Sequence, residues 1–186
     1  MNVNAAASIV FRDADAGDLA AIVGLLNALL ATTTYEYTET PHTVATRTRW
    51  FEDQCQRGFP VLVAEAEGHV VGFASYGDFR DSVARTGFRH TVEHTVHVDR
   101  EWYGRGIATS LMEALIERAA RADVHVMIGA IDSTNVGSIG LHERLGFVEV
   151  GRLPEAARKF DRWCELVLLQ LTLPAPAGQG TSADRG

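Results

Sequence analysis

"TVEHTVHVDREWYGRGIATSLMEALIERAA", Thr91 to Ala120, contains the transition on which the fold turns. Its opening residues alternate, with Val92, His94 and Val96 on one side and Glu93, Thr95 and His97 on the other, which is the two-residue period of a strand. After Gly106 the period changes, and Leu111, Leu115 and Ile116 recur at helical spacing. Between the two lie Gly104, Arg105 and Gly106. Glycines let a backbone turn tightly and approach a ligand, and the first turn of a helix leaves unpaired N–H groups that attract an anion. Arg105 adds a cation able to pair with phosphate. No Gly-Lys-Ser/Thr follows, so this is not a nucleotide-binding P-loop, and the segment does not match a dinucleotide fingerprint. Alone, such a turn is equally a strand-to-helix connection that needs glycine.

Outward from this centre, strands and helices alternate. Ser8 to Arg12 reads as a first strand, and "DADAGD" supplies aspartate caps for a helix carrying Leu19, Ile22, Val23, Leu26, Leu29 and Leu30. A second helix holds Trp50, Phe51 and Cys55, and "PVLVAEAEGHVVGFASY" reads as a hairpin turning at Glu67-Gly68. "VHVMIGAI" (124–131) is almost wholly apolar, as a central strand covered on both faces should be. "VGSIGLHERLGF" predicts a short helix stopped by Gly146, Phe147 to Gly151 starts another strand, and Trp163 to Leu173 is a long final strand. The alternation, with an adjacent hairpin, predicts a mixed α/β sheet.

The 186 residues suit one domain with a core of its own. A formal charge of -7 excludes generic attraction to nucleic acid or anionic membranes but leaves room for local anion sites. Cys55 and Cys164 form neither a Cys-x-x-Cys pair nor a zinc pattern and read as two semi-buried thiols in a reducing compartment. The N-terminus lacks a basic region followed by an apolar run, and no segment has the roughly 18 apolar residues a membrane helix needs, so a cytoplasmic protein is expected. "PAPAGQGTSADRG" has nothing to bury, which predicts a disordered tail over 174–186.

Five segments, "VVGFASYGDFR" (70–80), "FRHTVEHTVHV" (88–98), "YGRGIATSLMEALIERA" (103–119), "HVMIGAIDSTNVGSIGLHERLGFVEVGRLPE" (125–155) and "KFDRWCELVLLQLTL" (159–173), occur in an order that resembles the GNAT superfamily of acetyl-CoA-dependent N-acetyltransferases. Within it the chain is similar to the phosphinothricin and methionine sulfoximine/methionine sulfone acetyltransferases. The resemblance implies a single GNAT domain over 1–173, with a mixed, mostly antiparallel twisted sheet flanked by helices and a V-shaped opening between two central parallel strands. It implies acetyl-CoA as cosubstrate, a small amino acid acceptor and a homodimer, with no metal. The pyrophosphate would lie on the turn Tyr103, Gly104, Arg105, Gly106, Ala108 and Thr109, although Tyr103 stands where such turns usually carry arginine or glutamine. Pantetheine would pair with the strand around Val96, His97 and Val98, and Asn135 and Ser138 open the next helix as further cofactor contacts.

The same resemblance points to Glu93 as general base, with a pKa raised by burial, or as a carboxylate that orients the substrate. His142 stands where relatives place a proton donor for the departing thiolate; packing on a short helix and protonation by solvent are the alternatives. Asn135 is equally a helix cap. Arg80 is similar to an arginine that clamps a substrate carboxylate, or is a surface arginine supporting its loop through Asp78 or Asp81. Phe79, Thr95 and Lys159 belong to the same acceptor side. In "TTTYEYTET", Tyr35 and Glu36 suit a closure over the substrate or an ordinary packed linker. His90, His94 and His97 divide between two strand faces and make no metal set. Another amine acceptor and a non-catalytic acyl-CoA sensor are the rival functions.

Overall fold

The computed structural model of the chain describes residues 8–174. Apart from Pro174, the expected tail lies outside the described residues. One seven-stranded sheet runs in the spatial order β1 (Ile9–Asp13), β2 (Val61–Ala66), β3 (His69–Asp78), β4 (Thr91–Val98), β5 (Val126–Asp132), β7 (Arg162–Thr172), β6 (Val148–Lys159). Only β4 and β5 are parallel. The mixed sheet read from the residues is therefore present, mostly antiparallel as the resemblance implies.

Each face of the sheet is covered because alternate residues of its strands are apolar. Leu62, Ala64, Val92, Met127 and Leu169 bury one face against helix α3 (Ile107–Arg121), whose Ile107, Leu111, Met112, Leu115 and Ala119 form one helical stripe. Val61, Val63 and Phe73 bury the other against α1 (Leu19–Thr32), with Trp50 and Phe51 of α2 (Val44–Arg57) alongside. The short helix α4 (Val136–Arg144) adds Ile139 to the first face. The β2–β3 hairpin turns at Glu67 and Gly68, with φ of 53° and 79°, the left-handed pair that a two-residue hairpin requires.

β4 and β5 pair only at Thr91↔Val126, Val92↔Met127 and Glu93↔Ile128. Beyond this point β4 stays with β3, as far as Gly72↔Val98, while β5 continues with β7, so the two parallel strands diverge. The V-shaped opening begins after Glu93. Gly129, the next residue of β5, has no room for a side chain: a Cβ there would lie 2.9 Å from His94 Nε2.

Two expectations need correction, the aspartate caps and the cysteines, and one is extended. β6 starts in the segment Phe147 to Gly151, as expected, and runs on to Lys159 before returning through Phe160 and Asp161, both at positive φ. Two register shifts, at Glu149/Gly151 and Leu153/Ala157, break its two-residue period. Asp15 caps a single 3-10 turn, whereas Asp18 makes no cap for α1 and instead takes Arg12 through bonds of 2.7 and 2.9 Å. Cys164 is buried, but Cys55 is exposed. Among the described residues no helix is long and apolar enough to cross a membrane.

Candidate active site

A cavity of about 600 Å³ opens where β4 and β5 part. One wall is β4 itself, through Val96, His97 and Val98. The floor is the turn into α3, through Tyr103, Gly104, Gly106, Ala108 and Thr109. Gly106 sits at φ 77° as N-cap, and no side chain caps the helix, which leaves the N–H groups of its first turn open toward the cavity. Asn135 and Ser138 line the opposite wall from the start of α4. Asn135 also caps that helix, its side-chain oxygen accepting the Ser138 N–H at 3.2 Å, as the cap reading expects.

Arg105 is not among the lining residues. It is exposed and lies over the Trp102 ring at 4.3 Å. The sequence reading missed Arg144, which lines the cavity from the last turn of α4 and places a cation at its edge. Leu29, Trp102 and Leu141 were also missed, because nothing in their spacing separates a cavity wall from an ordinary core position.

Glu93 is the last β4 residue paired with β5, so it sits at the apex of the opening. Its side chain is exposed rather than buried. Partial desolvation by the surrounding protein nevertheless holds its pKa above the ordinary glutamate value. Thr95 and His97 follow on the same face, with Thr95 Oγ1 3.0 Å from His97 Nε2, and His97 packs on Phe73 at 5.5 Å. Burial, reinforced by the charges of Arg47 and His42, pushes His97 down to about 4.

The segment between α1 and α2 is fixed at several points. Asn27 donates to His42 O at 3.0 Å and accepts the His42 N–H at 2.8 Å. Arg162 reaches Thr34 Oγ1 at 3.4 Å, and Lys159 Nζ donates to Glu36 O. This brings Tyr35 to the cavity wall. The Glu36 carboxylate lies 3.9 Å from His42 Nε2. Lys159, expected to face the substrate, is 1% exposed, and burial lowers its pKa. Its ammonium holds the loop instead.

Arg80 is exposed at the end of β3 and stacks on Phe79 at 5.2 Å, while Phe79 meets Phe88 edge-on at 5.9 Å. Asp78 does not bind Arg80; it pairs with Arg57 and accepts the Ser82 hydroxyl at 2.6 Å. The guanidinium of Arg80 therefore has no carboxylate partner within salt-bridge distance among the described residues.

Of the remaining histidines, His90 stands apart, whereas His94 and His142 form a pair. His90 bonds to the Asp123 carbonyl at 2.9 Å. His142 is 1% exposed and stacks on His94, with ring centroids 4.8 Å apart. It is not among the cavity-lining residues. Burial depresses the pKa of both rings, that of His94 to about 3. Among the described residues no three His, Cys, Asp or Glu side chains converge as a metal site.

An open helix N-terminus, an unpaired strand edge and a carboxylate at the apex together suit a long anionic cofactor that delivers a group to an amine. The sequence matches the acetyltransferase (GNAT) family over residues 22–147. It is 46% identical to the L-methionine sulfoximine/L-methionine sulfone acetyltransferase of Pseudomonas aeruginosa over 167 residues, 89% of this chain and 95% of that one. Among solved structures it is similar to yncA from Salmonella typhimurium with its cofactor acetyl-CoA (TM-score 0.87, 37% identity, 94% of this chain and 99% of that one). It is also similar to a phosphinothricin acetyltransferase from Sinorhizobium meliloti in complex with acetyl-CoA (TM-score 0.85, 31% identity, 96% and 93%).

Proposed function

The chain belongs to the acetyltransferase (GNAT) family, and from that premise we propose that it acetylates the α-amino group of a small amino acid analogue such as methionine sulfoximine, methionine sulfone or phosphinothricin. Acetyl-CoA is the cosubstrate. The observation that carries the reading is a cavity built from an open strand edge and an uncapped helix start, with Glu93, itself not a lining residue, on the same strand at the point where β4 and β5 part.

In this reading the backbone amides from Gly104 to Thr109 hold the pyrophosphate, Arg144 adds a cation, and Val96 to Val98 pair with pantetheine. Glu93 takes a proton from the acceptor ammonium, directly or through water; its raised pKa makes it a stronger base than an ordinary carboxylate. The freed nitrogen attacks the thioester carbonyl, the oxyanion is held by N–H groups of the cleft, and the C–S bond breaks as the nitrogen gives up its surplus proton to solvent. A thiolate, with a reference pKa of about 8.5, leaves without a strong acid and takes its proton from solvent. Arg80, free of a carboxylate partner, receives the carboxylate of the amino acid in its planar fork, and Phe79, Thr95 and Tyr35 border the acceptor.

The domain is taken to extend over 1–173 and to act in the cytoplasm. It pairs with a second copy along the β6 edge, where Val148, Val150, Leu153 and the neighbouring Trp163 are 60, 52, 47 and 61% exposed. The test is release of free thiol from acetyl-CoA with each of the three analogues and with spermidine. The reading expects turnover with the amino acids and little with spermidine. The reverse preference contradicts it.

A further inference from the structure

His94 and His142 meet nitrogen to nitrogen, Nε2 to Nε2, at 3.2 Å. On the far side of His142, Nδ1 lies 2.7 Å from the carbonyl oxygen of Ser138. A carbonyl only accepts, so His142 Nδ1 carries the hydrogen. In a neutral ring Nε2 is then bare, and the hydrogen between the two rings belongs to His94 Nε2. His94 Nδ1 is left bare, buried and without a partner. The reverse arrangement, with His142 Nε2 donating, requires a second hydrogen on His142 and moves the His94 hydrogen to Nδ1, where it has no acceptor. The Ser138 hydroxyl also lies 3.5 Å from His142 Nδ1, but the carbonyl contact at 2.7 Å is far closer and selects this one neutral arrangement of hydrogens.

The pair also bridges the two walls of the cofactor cavity. His94 lies on β4 between Glu93 and the lining residues Val96 to Val98, and His142 lies on α4 one turn after the lining residue Ser138. The rings meet over Gly129, just beyond the last β4–β5 pair, where the sheet no longer ties these walls together. Phe147 closes the pair edge-on, 5.5 Å from His94 and 5.0 Å from His142.

We propose that His94 is a positioning residue: by donating Nε2–H to His142 it fixes His142 as a hydrogen-bond acceptor, not the thiolate's proton donor, and the pair fastens α4 to β4 across the acetyl-CoA cavity. Neither ring lines that cavity. The inference rests on acetyl-CoA binding and not on which amine is acetylated.

Long-range ¹⁵N–¹H correlation of the imidazoles in the wild-type protein reads the hydrogens directly. Hydrogen on Nδ1 of His142 and on Nε2 of His94 is expected; hydrogen on Nε2 of His142 overturns the assignment. The second test is acetyl-CoA affinity, measured by titration calorimetry without an acceptor, so that failure of the amino acid assignment leaves it readable. His94→Phe removes the donor and should weaken acetyl-CoA about threefold to tenfold, as expected for one lost neutral hydrogen bond. His94→Gln, whose amide can donate in its place, should recover most of that loss. Equal losses in the two variants, or none in His94→Phe, contradict the positioning role. A kcat–pH profile whose alkaline limb disappears in His142→Gln would restore His142 as the acid and overturn the proposal.

Discussion

Gly129→Ala tests the packing at the point where the sheet divides. The new Cβ would lie 2.9 Å from His94 Nε2 and 3.6 Å from His142 Cδ2. His94 has little room to retreat, because it is stacked against His142 at 4.8 Å and meets Phe147 at 5.5 Å. Gly129 itself lies in the centre of β5, paired with Leu169 of β7, so the backbone is fixed as well. One excess methyl group in a closed site costs about 1–3 kcal/mol. For a domain of this size that lowers Tm by roughly 2–12 °C. The assay is thermal and urea unfolding followed by circular dichroism, repeated in a His94→Ala background, where the obstructing ring is absent. There the penalty of the added methyl should shrink by about 1–2 kcal/mol, the coupling typical of residues in contact. A Gly129→Ala protein as stable as wild type refutes the reasoning, and so does a penalty that persists unchanged without His94. Gly24→Ala in α1 is the control: a Cβ there meets nothing within 4 Å, so a gain of about 0.5–1 kcal/mol is expected.

Stability should also fall with acid. His94 and His97 are held neutral, at about 3 and about 4, whereas in the unfolded chain they titrate near 6.5, so their contribution is full above pH 6.5 and is lost as pH falls toward the folded values. Together they should lower the unfolding free energy by about 2 kcal/mol between pH 6 and pH 5, and urea midpoints that do not move over that interval would contradict their burial as neutral rings. Arg80→Ala should raise KM for an amino acid acceptor by about tenfold or more with little effect on kcat, the mark of lost binding to a charged group; an unchanged KM removes the clamp. If β6 forms the interface between two copies, Trp163→Asp should convert a dimer to monomer in analytical ultracentrifugation, and an unaltered sedimentation profile would place the interface elsewhere.

The parts of this fold legible in the sequence are those where one period governs a segment. Thr91 to Val98 and the helix after Gly106 could be read because a two-residue and a 3.6-residue pattern meet at a glycine turn. The length of β6 beyond Gly151 could not, because bulges interrupt its alternation and most of its side chains are exposed, so neither period nor burial marks it. The floor and strand wall of the cavity were legible because backbone groups make them, and glycine spacing reports backbone geometry. Lys159 misled for the opposite reason: its bond to the Glu36 carbonyl joins residues 123 positions apart, and no local pattern records that. Likewise His94 read as a face-assigned strand histidine, while its contact with His142 spans 48 positions and depends on the missing side chain of Gly129.

The central claim, amine acetylation with Glu93 as base, is tested most directly by kcat/KM for L-methionine sulfone as a function of pH, in wild type and Glu93→Gln, with free-thiol release as the readout. The account predicts an acidic limb above the ordinary glutamate range in wild type, set by the raised pKa of Glu93. In Glu93→Gln that limb should vanish, with a loss of about 10²–10⁴-fold at neutral pH that falls mainly on kcat. A Glu93→Gln enzyme that keeps the wild-type rate and the same limb would contradict it.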